Sequence, residues 1–127
     1  MQIAESGEMY LESILILRQQ RGQIRSIDIV NHTGYSRPSI SRAMSILKKD
    51  GLILIDEAGY ITLTPKGNEI ALRMYERHKI LSKFLVSIGV SEENADLDAC
   101  KIEHIISEES FAKIRAHAHA LLNIPDL

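Results

Sequence analysis

Cys100, Glu103 and His104 set a thiolate, a carboxylate and an imidazole at i, i+3 and i+4, a spacing that brings all three onto one face of a helix. Met9 and Glu12 pair a thioether with a carboxylate one turn apart. His78 falls on an apolar stripe with Met74, Leu81 and Leu85, which directs it inward. Sulfur, oxygen and imidazole donors of this kind hold divalent transition metals. Burying a carboxylate and an imidazole without partners is costly, and a divalent cation satisfies both. Each residue also has a plain structural reading: Cys100 as a small buried hydrophobe, Met9 as core filling, His78 as a satisfied core histidine. Spacing alone leaves both readings open.

Positioning such a set requires helices at both ends of the chain. Residues 8–20 carry Met9, Leu11, Ile14, Leu15 and Leu17 at helical spacing with polar residues between, and Gly22 ends the run. Ser26 is expected to cap a short second helix through Ile27, Ile29 and Val30. The run Thr33, Gly34, Tyr35, Ser36 then supplies a turn in which Gly34 tolerates a left-handed conformation. Ser36 caps a third helix, with Pro38 in its first turn and Ile40, Met44 and Leu47 on one face. Two helices about a glycine-containing turn, the second opening with exposed Ser and Arg, predict a helix-turn-helix. Residues 52–55 and 60–63 are β-prone and separated by Asp56, Glu57, Ala58 and Gly59, so a hairpin wing follows.

Thr64 and Pro65 open a long helix through Ile70, Met74, Leu81, Leu85 and Ile88 to Gly89, about six turns. Ser91, Glu92 and Glu93 begin another with Ala95, Ala99, Ile102 and Ile106. Ser107 caps a last one through Phe111, Ile114, Ala118 and Leu121, and Pro125 lies near the end. The expected fold is mainly α: an N-terminal winged helix-turn-helix over residues 1–64, then a helical metal-binding and dimerisation domain over 65–127.

Composition agrees with small helical cores. Of 127 residues, 45% are hydrophobic and 5% aromatic with no Trp, so Ile, Leu, Ala and Met must fill the interior. No apolar run approaches the roughly 18 to 20 residues of a membrane span, and no secretory leader opens the chain, so a cytoplasmic protein is expected. The single Cys excludes an internal disulfide and fits a reducing compartment. The net charge of −2 hides an asymmetry. Residues 18–50 hold seven basic against two acidic side chains, whereas residues 91–127 hold three against eight. One end suits phosphate and the other cations.

Within the basic segment, the DNA-reading candidates are Arg25, Ser36, Arg37, Pro38, Ser39 and Arg42. Bases are read near the start of a recognition helix while flanking Arg, Ser and backbone amides hold phosphates. Arg42 can reach guanine and Pro38 a thymine methyl. His32, His117 and His119 receive no role; the last two are two apart on a helix and cannot share a face.

From E-M-Y-L-E at residues 8–12 to C-K-I-E-H-I-I-S at 100–107, the chain resembles the diphtheria toxin repressor and manganese transport regulator family of metal-dependent repressors. S-R-P-S-I-S-R of the reading helix, D-G-L-I entering the wing, L-T-P-K-G after it and R-H-K-I-L around His78 occur in the same order. The resemblance implies a primary metal site from Met9, Cys100, Glu103 and His104, as in the iron-sensing branch. Glu12 and His78 match positions that the manganese-sensing branch uses for a second, neighbouring metal. The iron branch's ancillary His and Glu correspond to Asp96 and Ser82, and its SH3-like domain is missing, so that site is not carried over. The length resembles the two-domain manganese regulators.

Thioether and thiolate donors favour softer ions, so Fe(II) is the expected cofactor with Mn(II) next. The resemblance implies a homodimer that binds a palindromic operator on double-stranded DNA and represses metal-uptake genes when metal is plentiful. A metal-independent winged-helix regulator is the alternative. A metalloenzyme using the Cys/Glu/His cluster is the third reading; the chain shows no separate general base or nucleophile arrangement, so no enzymatic activity is expected.

Overall fold

A computed structural model describes residues 5–122, with side chains over 6–119; Pro125 and the side chain of Leu121 lie outside the described residues. The chain divides into two compact units, one ending at Leu72 and the other beginning at Arg73.

The first unit contains α1 (Glu5–Arg21), α2 (Ser26–Thr33), α3 (Arg37–Lys49), β1 (Ile53–Ile55), β2 (Ile61–Leu63) and the opening turns of α4 (Pro65–Ser87). Helix α1 packs on α2 and β2, and α3 packs on α2 and β1. Its interior is Leu11, Ile14, Leu17, Ile24, Ile29, Ile40, Met44, Leu47, Leu52, Ile53 and Ile61. One departure concerns α1, where Glu12 and Ser13 are buried along with Tyr10, Leu11, Ile14 and Leu15. That stretch is enclosed on every side rather than amphipathic. Ser13 meets the burial by donating its hydroxyl to the Met9 carbonyl at 3.0 Å.

The turn between α2 and α3 follows local chemistry. Gly34 takes φ 79° and its N–H closes on the Val30 carbonyl, a left-handed cap that side chains with a Cβ resist. Ser36 is the N-cap of α3, accepting from the Ser39 N–H at 3.3 Å. The expected cap at Ser26 is corrected: Ser26 is already helical and Arg25 is the N-cap. The deciding group is Asp28, whose carboxylate accepts the Arg25 N–H at 2.8 Å and ties down the helix start from within.

The wing is a two-stranded antiparallel ribbon pairing Ile53 with Leu63, Leu54 with Thr62 and Ile55 with Ile61, one residue shorter on each strand than expected. The Asp56 carboxylate closes its tip by accepting from the Ala58 and Tyr60 N–H groups, each at 2.9 Å. The wing is anchored to the head by the Ile61 N–H, which donates to Ile24 at 2.9 Å, and by Arg18, which donates to the Ile61 carbonyl at 2.9 Å.

The second unit holds the rest of α4, α5 (Glu92–Ile105) and α6 (Glu108–Leu122). Ile80, Leu81, Ala99, Phe111 and Ala118 form its core, with Ile102, Ile106 and Ile114 packed against them. Ser91 and Ser107 cap their helices, accepting from Asn94 and Ser110 at 3.3 and 3.0 Å. Ile88 is corrected from the expected stripe: it lies past the end of α4 and is exposed, since the helix stops before Gly89 at φ 107°.

Candidate DNA-reading head and metal centre

Helix α3 turns Ile40, Met44 and Leu47 into the head, so Ser36, Arg37, Pro38, Ser39 and Arg42 are all exposed. Two of these serines already have a structural task. The Ser36 hydroxyl donates to the Ser39 hydroxyl at 2.9 Å while capping the helix, which fixes the start of α3. Ser41 and Ser45 are also exposed on the outward side of α3, along with Arg42. Sequence reasoning passed them over, although the 3.6-residue period of the buried positions places them there.

The basic excess is partly committed to the fold. Arg18 holds the wing backbone, and Arg21 pairs with Asp28 at 3.2 Å. Arg25 lays its guanidinium over the Tyr60 ring at 4.5 Å, tying the start of α2 to the wing. Arg37, Arg42, Lys48 and Lys49 remain exposed along α3. Tyr10 of α1 meets Tyr35 of the turn edge to face, with ring centroids 6.2 Å apart. Burial and, second, the nearby Tyr35 raise the Tyr10 phenol above its ordinary pKa, so it stays neutral.

In the second unit the polar side chains converge on one carboxylate. Glu103, 0% exposed, has its Oε2 3.2 Å from Nδ1 of His78 and its Oε1 3.2 Å from Nε2 of His104. Helix α5 supplies Glu103 and His104 from one turn, and α4 supplies His78. The second nitrogen of His78, Nε2, lies 2.7 Å from Oδ1 of Asp96, near the start of α5. A carboxylate removed from water needs positive charge close by, and two imidazole nitrogens facing its two oxygens present N and O donors to a cation. The donor set therefore fits a divalent metal.

The remaining expected ligands are placed differently. Cys100, one turn before Glu103 on α5, is exposed. In the first unit Glu12 is buried and Met9 half-buried on α1. Sequence reasoning missed Arg77 and set Asp96 aside. Arg77 is buried between Met74 and Leu81 along α4, and a lone charged residue on that apolar stripe was the available signal.

Residues 64–124 match the family described as iron dependent repressor, metal binding and dimerisation domain. The HTH-type transcriptional regulator MntR of Lysinibacillus sphaericus is 33% identical over 122 residues, covering 96% of this chain and 88% of the relative. The chain belongs to this family of metal-dependent transcriptional regulators. The MntR of Geobacillus kaustophilus is 37% identical over 109 residues, covering 86% of this chain and 77% of its own. Among solved structures, a manganese-dependent transcriptional repressor in complex with manganese superposes with a TM-score of 0.80 at 28% identity over 94% of this chain. The IdeR of T. acidophilum superposes at 0.77 with 26% identity over 98%. The chain spans just over half the length of these two, 53% and 56%. Family members are regulators rather than enzymes, so the metalloenzyme reading falls, and the expected metal-dependent repressor is supported over the metal-independent alternative. Among the described residues no helix is long and apolar enough to cross a membrane.

Proposed function

We propose that this protein is a cytoplasmic repressor that binds Mn(II), with Fe(II) as the competing co-repressor, and controls metal-uptake genes as a homodimer on a palindromic operator. The observation that carries the reading is the fully buried Glu103 carboxylate between His78 and His104. Met9 and Glu12 of α1 complete the ligand set with His78, Cys100, Glu103 and His104.

The expected preference for Fe(II) rested on the two sulfur donors and has no support from the relatives, whose names are those of manganese regulators. The two buried carboxylates among the proposed ligands, Glu12 and Glu103, are the hard oxygen donors that suit Mn(II). When bound, the ion supplies positive charge to carboxylates that burial has removed from water.

Arg25, Ser36, Arg37, Pro38, Ser39 and Arg42 meet the operator, with Arg42 reading base edges and the residues around the α3 cap meeting phosphate. The reading head corresponds to residues 1–64 and the metal-binding and dimerisation part to 65–127. Recognition helices of a dimer must lie about 34 Å apart to enter successive major grooves. With ligands carried both on α1 and on α4 and α5, metal occupancy biases that spacing. A coupling of ~1–3 kcal/mol changes DNA affinity about 5- to 150-fold, and linkage requires DNA to tighten metal by the same factor.

The test is operator binding with chelator, Mn(II), anaerobic Fe(II) and Zn(II). Mn(II) is expected to raise affinity most at matched free-ion concentration. Equal affinity with chelator and with every metal would remove the switch, and a larger response to Fe(II) would reverse the order of metals.

A further inference from the structure

Arg77 is 5% exposed, and a guanidinium so enclosed needs its donors satisfied. Its Nη1 donates to the carbonyl oxygens of Glu103 and Ile106, each at 3.1 Å. Its Nη2 meets Oε1 of Glu108 at 2.5 Å, and its Cζ lies over the Phe111 ring at 5.3 Å. The two carbonyls belong to the end of α5, where Ile106 turns extended at φ −71°, ψ 140°. Carbonyls in a final helical turn lack the next turn's N–H groups. A single planar fork takes that role here, reaching the start of α6 as well.

The consequence concerns the metal centre. Arg77 immediately precedes His78 on α4, and the carbonyl it grips is that of Glu103, the residue whose carboxylate faces His78 at 3.2 Å. The α4 to α5 register that sets this imidazole–carboxylate distance is thus fixed by the guanidinium, not by apolar packing alone. Glu108 offsets its charge, so a permanent cation stands beside the site without opposing a second one.

From this geometry we infer that Arg77 is a positioning residue of the metal centre, setting metal affinity and coordination by holding Glu103 against His78. The inference rests on the metal-regulator reading above. Lysine in its place keeps the charge but offers a point donor, which cannot span both carbonyls and Glu108.

The test uses the full chain loaded with Co(II), whose ligand-field spectrum reports coordination, together with Mn(II) titration. Arg77→Lys is expected to keep its helical circular dichroism, weaken Mn(II) about tenfold and change the Co(II) band energies or intensities. An unchanged Co(II) spectrum and Mn(II) affinity, with only the melting temperature lowered, would make Arg77 a structural staple and overturn the inference. Should Arg77→Lys not fold, Glu108→Ala decides on an exposed side chain. A several-fold loss of Mn(II) affinity with a shifted Co(II) spectrum supports the inference, and wild-type values overturn it. A wild-type chain that binds neither metal defeats the metal-regulator reading itself, whereas tight wild-type binding with indifferent variants defeats only the role of Arg77.

Discussion

In the winged head the side chains proposed to meet DNA are exposed, and one of them, Ser36, is already hydrogen-bonded to the helix backbone. In the helical unit the Glu103 and His104 side chains are buried and, with the half-buried His78, face one another. Ser36 caps α3 through the Ser39 N–H with both residues in water, whereas Glu103 has no exposure and faces two imidazoles. A surface of the first kind is complete when the chain folds and waits for a partner whose phosphates bring their own charge. A site of the second kind concentrates charge where water cannot screen it, so its properties depend on what cation is present. Sensing and reading are thereby assigned to two different physical regimes.

The sharpest way to break this contrast is Glu103→Gln, which keeps the shape and removes the charge. An ion present at 100 times its dissociation constant stabilises a protein by about 2.7 kcal/mol. The variant is expected to lose that whole metal-dependent increment in a thermal melt, with helical content intact. A melting temperature that still rises with Mn(II) would show that the buried carboxylate is not what the cation meets.

The next largest effect belongs to the head and should leave the metal centre unmoved. Gly67 lies in the first turn of α4 against Leu52, the residue before β1, and a Cβ there would run into the Leu52 carbonyl oxygen and stand 2.9 Å from its carbon. Because the obstacle is backbone, the chain entering the wing must shift. Gly67→Ala is expected to destabilise the chain by about 1–3 kcal/mol in urea unfolding, although Ala is the better helix former by ~1 kcal/mol. A stabilised variant would show that the wing and α4 separate easily.

The same contrast explains what the residues revealed beforehand. Caps at Ser36, Ser91 and Ser107, the glycine turn at Gly34 and the wing were legible because each is decided within four or five residues. The misplaced cap at Ser26 is the instructive exception, since a local competitor, Asp28, won. In the helical unit, spacing put Glu103 and His104 within one turn of a helix and named His78 as a candidate beside them, and α5 and α4 carry them so. The contacts were not legible, because the distance between His78 and Glu103, the grip of Arg77 and the reach of Asp96 depend on how α4 lies on α5. Arg77 was missed altogether, since nothing local to it shows that two carbonyls at the end of α5 await its guanidinium.

Arg42→Ala sharpens the comparison from the other side. An exposed residue away from caps and core changes stability by no more than ~0.5 kcal/mol. Operator affinity should fall by ~1–3 kcal/mol with relaxed preference at one base pair. Metal affinity in the absence of DNA should not change. A variant that bound DNA normally would move base reading to another part of α3, with Ser41 and Ser45 next in line on its outward side.

Asp96 tests the boundary between the two regimes, for it is exposed like the residues of the head yet bonded like those of the site. Its side chain is 67% exposed, and its Oδ1 lies 2.7 Å from Nε2 of His78. A carboxylate on the outer nitrogen of a ligating imidazole orients the ring and raises its basicity, and losing it costs roughly 10- to 100-fold in metal affinity. Solvent places Asp96 at the lower end, so Asp96→Asn is expected to weaken Mn(II) about tenfold. Asparagine still accepts the imidazole proton, so what it loses is charge. An exposed charge is screened at about 3 Å in 1 M salt. The gap between Asp96→Asn and the unaltered chain should therefore shrink as salt rises, while the defect of Glu103→Gln, shielded from water, should persist. Equal salt responses in the two variants would mean that exposure does not separate reading from sensing in the way proposed.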